Sequence, residues 1–181
     1  MLSQRMESEA RRIYQAEVKL WLVRSLFPPA AGWRVGVHLD PMELAKGGTH
    51  QPDKKERAAA AERELISLGV KLGVDEKYGR IDTVADHRQH GLHLIEVEGD
   101  SSRQQEQAIY SCLGQLLLTM RGWGGSLHYG IAVPNTNGWH MQLAKIPTAV
   151  RSRLSIDLYL VDHTHVVKYE PSEEMPRTLR T

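Results

Sequence analysis

Apolar positions along the chain follow two different periods, and the switches between them predict the order of elements. From about 3 to 27, Ile13, Ala16, Leu20, Val23 and Phe27 recur at spacings of three and four. That is one buried stripe of a long helix, ended by Pro28-Pro29. Trp33–Leu39 alternates and is rich in β-branched residues, which predicts a first strand. Residues 40–53 contain Pro41, Pro52 and Gly47-Gly48 and predict a mobile loop with a helical turn around Met42–Ala45. An alanine-rich helix follows from about Lys54 to Leu68, and Gly69 and Gly73 then break the chain.

Residues 79–86 and 92–98 predict two strands joined by His87-Arg88-Gln89-His90-Gly91. Ser101-Ser102, with Gln104 and Gln105 as capping-box partners, start a helix. Its apolar stripe is Ala108, Ile109, Cys112, Leu113, Leu116, Leu117 and Met120. Beyond Gly122–Gly125, Tyr129–Val133 predicts a buried strand and 139–153 a helical region interrupted at Pro147. Ile156–Val161 predicts another strand, Val166–Tyr169 an edge strand, and about 170–181 a frayed tail. This order implies an α/β fold, with a mixed central sheet flanked by helices on both faces, in a single domain over 1–181.

The hairpin carries candidate chemistry. A loop centred on Gln89 sets Asp82 opposite Glu96, Val84 opposite Leu94 and Arg80 opposite Glu98, all on one face because side chains alternate along a strand. Directly opposed like charges are destabilising, so two carboxylates among valine and leucine call for a reason. A divalent cation supplies one, since carboxylates, a backbone carbonyl and water suit Mg²⁺ or Mn²⁺. The plain alternative is a solvated hairpin face on which Arg80 pairs with Glu98.

The run GRIDTVADHRQHGLHLIEVEGDSSRQQEQAIYSCLGQLLL resembles the core of the PD-(D/E)xK, or restriction-endonuclease-like, nucleases. In that family an acid in one strand is followed by a hairpin, a (D/E)-x-K strand and a helix. Gly79-Arg80-Ile81-Asp82 matches the first acid strand, Ile95-Glu96-Val97-Glu98 the second motif, and Tyr129–Val133 the following core strand. The resemblance implies a metal-dependent endonuclease acting on DNA in restriction, phage defence or repair, commonly as a homodimer. It implies Mg²⁺ or Mn²⁺ held by Asp82, Glu96 and the backbone carbonyl of Val97. Glu17, where several members place an extra acid, becomes a further metal candidate.

One departure matters. Glu98 stands where the family has lysine. Three alternatives stay open: Glu98 ligates a second metal or takes a proton from water; a basic residue elsewhere (Arg80, Lys71 or Arg103) substitutes; or the chain is a non-catalytic nucleic-acid-binding or regulatory module.

Composition changes this picture little. Apolar residues make up 41% and charged residues 25% of the 181, the ordinary range for a globular protein. The net charge of +1 argues against a protein that binds DNA mainly by blanketing phosphates. Cys112, the only cysteine, excludes an intramolecular disulfide and is expected as a small buried hydrophobe. The opening MLSQRMESEARR lacks a signal-peptide core, and a cytoplasmic location is expected.

Other residues are read as structural. His87, His90 and His93 fall in a turn and a strand, where alternation sends them in different directions. His163 and His165 lack a third ligand and read as surface residues. Glu106 and Tyr110 do not complete a Gln-x-x-x-Tyr element, and the glycines of GWGGS lack the Gly-Lys-Ser/Thr of a phosphate loop.

Overall fold

The computed structural model describes residues 12–49, 51–100, 104–122 and 125–170. Helix α1 (Gln15–Leu26) leads through a 3₁₀ turn (Pro29–Ala31) into β1 (Arg34–Val37). Then come α2 (Pro41–Leu44), α3 (Lys54–Ser67) and β2 (Lys71–Leu72). The hairpin β3 (Thr83–His87) and β4 (Gly91–Val97) precedes α4 (Gln105–Thr119) and β5 (Leu127–Pro134). Helices α5 (Asn137–Leu143) and α6 (Thr148–Leu154) lead to β6 (Ile156–Val161) and β7 (Val166–Lys168).

The strands form one sheet in the order β2-β1-β3-β4-β5-β6-β7. β3 runs antiparallel to both its neighbours, β1 and β4; β4, β5 and β6 are parallel, and β7 returns antiparallel. Parallel neighbours need crossover connections, supplied here by α4 between β4 and β5 and by α5–α6 between β5 and β6. The fold is therefore α/β, with a mixed sheet covered by helices on both faces.

Alternation along the strands divides the core in two. Val35, Val37, Ala85, Ile95 and Val97 face α1 and α3, meeting Ala16, Leu20, Val23, Ala58, Ala61 and Leu65. Val84, Leu94, Ile131, Val133 and Leu158 face the other way, onto Ala108, Ile109, Cys112 and Leu116 of α4 and Trp139 and Leu143 of α5. No helix among the described residues is long and apolar enough to cross a membrane.

The hairpin adopts the expected register, Val84 pairing with Leu94 and His87 with Gly91. Gly91 closes it at a positive φ of 80°, where a Cβ would meet the Ser126 carbonyl at 2.0 Å.

Several expectations need correction. Of the helix expected over about 3–27, the stretch Gln15–Leu26 is helical and the described residues 12–14 are not, while 3–11 lie outside the described residues. Ile13 pairs instead with the segment after β4: its N–H donates to Asp100 Oδ2 at 3.0 Å, and the Asp100 N–H donates to its carbonyl at 2.8 Å. Residues 79–82 are not strand. Asp75 and Gly79 bridge each other, with Gly79 at φ 74°, and regular pairing starts at Thr83. The two-residue β2 was not foreseen, being too short to show a period. Ser101 and Ser102, the expected cap, lie outside the described residues.

Candidate functional site

The acids gather where β4 ends and β3 begins. Just beyond the last ladder pair, Asp82 and Glu96 lie close enough for the Asp82 charge to raise the Glu96 carboxyl. The Val97 N–H donates to Asp82 Oδ2 at 2.8 Å, holding the carboxylate against the end of β4. Glu98 lines the same hollow, with Oε1 4.0 Å from Cys112 Sγ on α4. A solvated hairpin face is ruled out by burial: Glu96 is 3% exposed and Asp82 8%.

Helix α1 contributes two groups that sequence reasoning missed. Lys19, fully buried, places Nζ 2.7 Å from Asp82 Oδ1 and 2.5 Å from Glu43 Oε1, and donates to the His38 carbonyl at 2.7 Å. Gln15 donates from Nε2 to the Val97 carbonyl at 2.8 Å and lies 3.5 Å from Asp82 Oδ2. Both reach the site because α1 is moored to the end of β4 through Ile13 and Asp100. The approach is close: a Cβ at Gly99 would stand 2.2 Å from the Gln15 nitrogen. Asp100 also accepts from Trp139 Nε1 at 3.1 Å, tying in α5.

The fourth acid comes from the 40–53 segment, where the expected helical turn is α2. Asp40 caps it by accepting from the Met42 N–H at 2.8 Å, and Glu43 Oε1 accepts from the Asp40 N–H at 3.0 Å. Glu43 is 6% exposed, and its Oε2, buried beside the hollow, has no hydrogen-bond partner. A buried carboxylate oxygen without a donor marks room for a cation, a proton or water.

Electrostatics follow from four carboxylates around one ammonium. Burial, then the neighbouring Asp82, pushes the Glu96 carboxyl up to about 9, so near neutrality it keeps a proton. Burial and Asp82 likewise raise Glu98 to about 7. Glu43 is raised by burial in spite of Lys19. For Lys19 burial disfavours the charge, yet Asp82 and Glu43 outweigh it, and the ammonium stays protonated.

Hard oxygen donors in excess of positive charge are the chemistry of a Mg²⁺ or Mn²⁺ site. The Asp82–Glu96 pair fits such an ion. The expected three-acid trap is not drawn together, however. Among the described residues no three Asp, Glu, His or Cys side chains stand close enough to cage a metal, because Glu98 leans toward α4 and Lys19 engages Asp82. The Val97 carbonyl already accepts from Gln15 and offers only its second lone pair.

The remaining candidates fall elsewhere. Glu17 turns away from the hollow to form a two-point pair with Arg57, 2.8 and 2.9 Å, and accepts from the Tyr14 N–H. Lys71 sits exposed on β2, 3.8 Å from Glu76, in a separate hollow. Arg80 does line the acidic hollow, at its exposed rim. Arg103 lies outside the described residues. Cys112 is buried, its thiol raised well above the ordinary value by burial, as suits a small hydrophobe. Among the described residues His163 and His165 belong to no metal-ligand cluster; His165 is exposed and pairs with Asp162 at 3.0 Å, whereas His163, expected at the surface, is half-buried with its Nε2 inside.

The three hairpin histidines converge, against expectation, because the turn folds His90 back over the strand. His87 and His90 have ring centroids 4.6 Å apart, Trp33 stacks on His90 at 5.8 Å, and His93 stacks on His128 at 4.4 Å. Phe27 completes the cluster, 5.1 Å from His93. It joins the end of α1 to the sheet, at the opposite end of the hairpin from the acids.

Comparison with models of protein families, with curated proteins and with solved structures returns no match.

Proposed function

We propose that this chain is a metal-dependent endonuclease hydrolysing phosphodiester bonds of DNA. The observation that carries the reading is the pair Asp82 and Glu96, buried at the end of β4 with Glu43 and Glu98 beside it and the Lys19 ammonium to offset them. The chain order supports the resemblance to restriction-endonuclease-like nucleases: α1, then β1, β3 and β4 each antiparallel to the next, with Asp82 just before β3 and Glu96 on β4, then α4 and a strand parallel to β4.

Asp82 and Glu96 would hold the ion, with the free lone pair of the Val97 carbonyl. Bound there, Mg²⁺ or Mn²⁺ supplies Lewis-acid stabilisation of charge on the scissile phosphate and makes the attacking water more acidic. Lys19 is a positioning residue: its three protons serve the His38 carbonyl, Glu43 and Asp82, so it fixes Asp82 and moderates the negative field rather than touching substrate. Its Nζ lies 2.7 Å from Asp82 Oδ1, and Arg80 on the rim stays a candidate for the motif's missing positive charge. Glu98 faces the same hollow as a proton acceptor for the water.

The test is cleavage of a mixed plasmid and single-stranded DNA substrate with Mg²⁺ or Mn²⁺, by wild type, Asp82→Asn and Glu96→Gln. Metal-dependent cleavage lost in both variants supports the proposal, by at least about a hundredfold if the pair holds the ion. No cleavage by the wild type with either metal sinks it. The second reading, a non-catalytic nucleic-acid-binding or regulatory module, draws on Lys19 and Gln15 already engaging Asp82 and the Val97 carbonyl.

A further inference from the structure

The shape of the acidic hollow bears on what can enter it. Its floor is Asp82, Glu96 and Glu43, none more than 8% exposed. On one side stand the first turn of α1 (Tyr14, Gln15) and α2 with Lys54; on the other stands α4, through Ser111 and Gln115. The hollow has a volume of about 340 Å³ and opens to solvent. That is near the lower end of small-ligand pockets, roughly 300–1,000 Å³, and suits one nucleotide unit better than a groove for a double helix.

The lining combines helices with long side chains, among them Gln15, Met42, Lys54, Arg80 and Gln115. α2 in particular is pinned three ways: by its Asp40 cap, by Glu43 on the buried Lys19, and by Lys54 Nζ donating to the Met42 carbonyl at 2.8 Å. With none of the three floor acids more than 8% exposed, a flexible strand that can bend into the hollow suits it better than a stiff duplex.

Two residues at the mouth suit such a strand. Met42, on α2, is 72% exposed. An unbranched apolar side chain there gives an unpaired base something to rest on, as apolar wedges do between base steps. Arg80 is exposed on the rim and makes no ion pair among the described residues, so it is available to a flanking phosphate.

We infer that the substrate of this site is DNA that is unpaired at the scissile bond, entering between α2 and α4 with a base against Met42 and a neighbouring phosphate on Arg80. The inference rests on the phosphodiesterase reading and narrows it. Enzymes whose reacting atoms must go deep into a pocket commonly take single strands or unpair the nucleotide first.

The experiment offers the full chain, with Mn²⁺, the same sequence in three forms: a circular single strand, a covalently closed duplex circle, and that duplex with a short single-stranded gap. Cutting of the single strand and at the gap, with the closed duplex intact, is the expected result. Equal cutting of the closed duplex overturns the inference and leaves the nuclease reading standing; no cutting of any form overturns both. A parallel measurement uses a short fluorescent single-stranded oligonucleotide in Ca²⁺. Met42→Ala and Arg80→Ala are each expected to weaken its binding by about fivefold with thermal melting unchanged. Binding unaltered in both overturns the proposed path of the strand.

Discussion

Replacing Lys19 by methionine tests the electrostatic account of the site most directly. The ammonium is fully buried and satisfies Asp82 Oδ1, Glu43 Oε1 and the His38 carbonyl at 2.5–2.7 Å. Methionine fills much of the same space but leaves two buried carboxylates facing each other. Removing one partner of a buried pair ordinarily costs about 3–5 kcal/mol. The fold has an escape, because Glu43, already raised by burial, can take a proton. Holding a proton on a glutamate at pH 7 costs roughly 3.5 kcal/mol relative to the unfolded chain, and roughly 0.7 kcal/mol at pH 5.

The expected loss in Lys19→Met is therefore about 3 kcal/mol at pH 7 and about 1 kcal/mol at pH 5. The sign follows from proton counting. The folded variant binds a proton that the unfolded chain releases above the ordinary glutamate value, so stability falls as pH rises through that window. Urea unfolding followed by tryptophan fluorescence, with chelator present, measures it. Adding Glu43→Gln to Lys19→Met is expected to restore at least about half of the loss at pH 7, since the two groups are in contact. A loss below about 1 kcal/mol at pH 7, unchanged with pH, would refute the argument.

Glu96→Gln should stabilise the metal-free protein. The wild-type carboxyl is raised to about 9, so the fold holds a proton the unfolded chain gives up, and its stability contribution declines from the ordinary glutamate value upward. The amide stays neutral; a gain on the order of 2–4 kcal/mol at pH 8 and below about 1 kcal/mol at pH 5 is expected in urea unfolding, and a destabilised variant at pH 8 contradicts it. His93 works in the opposite sense. Burial, then His128, holds it down at about 4, so the neutral ring favours the fold above the ordinary histidine value, and that contribution is lost as pH falls from about 6.5 to 4. His93→Phe, which keeps a ring among Phe27, Trp33 and His128, should flatten the acid side of the stability profile by roughly 1–2 kcal/mol; an unchanged acid limb counts against the assignment.

Local pattern was enough to determine much of this protein. The hairpin register follows from a loop centred on Gln89 and from alternation, because a slip of one residue would send Leu94 and Glu96 to the wrong faces. The stripes of α1 and α4, the break at Pro147 and the helical turn at α2 are likewise short-range matters of period and capping. Local pattern alone therefore sets Asp82 opposite Glu96.

Tertiary structure decided what surrounds them. Lys19 lies in a helix whose period marks it only as a charged residue beside Val18 and Leu20; nothing local says that its ammonium ends 2.7 Å from Asp82. Glu17, one turn from Lys19's neighbours on the same helix, was drawn off by Arg57, and Glu43 arrived from a segment that sequence assigned to a loop. Residues 12–14, expected in the first helix, are not helical, and Ile13 bonds Asp100, 87 positions away. Such contacts depend on which helix ends meet which strand ends, and neither hydrophobic period nor spacing carries that information. Burial then sets the protonation of Glu96, since the desolvation that raises it exists only after α1, α2 and α4 have closed around the end of β4.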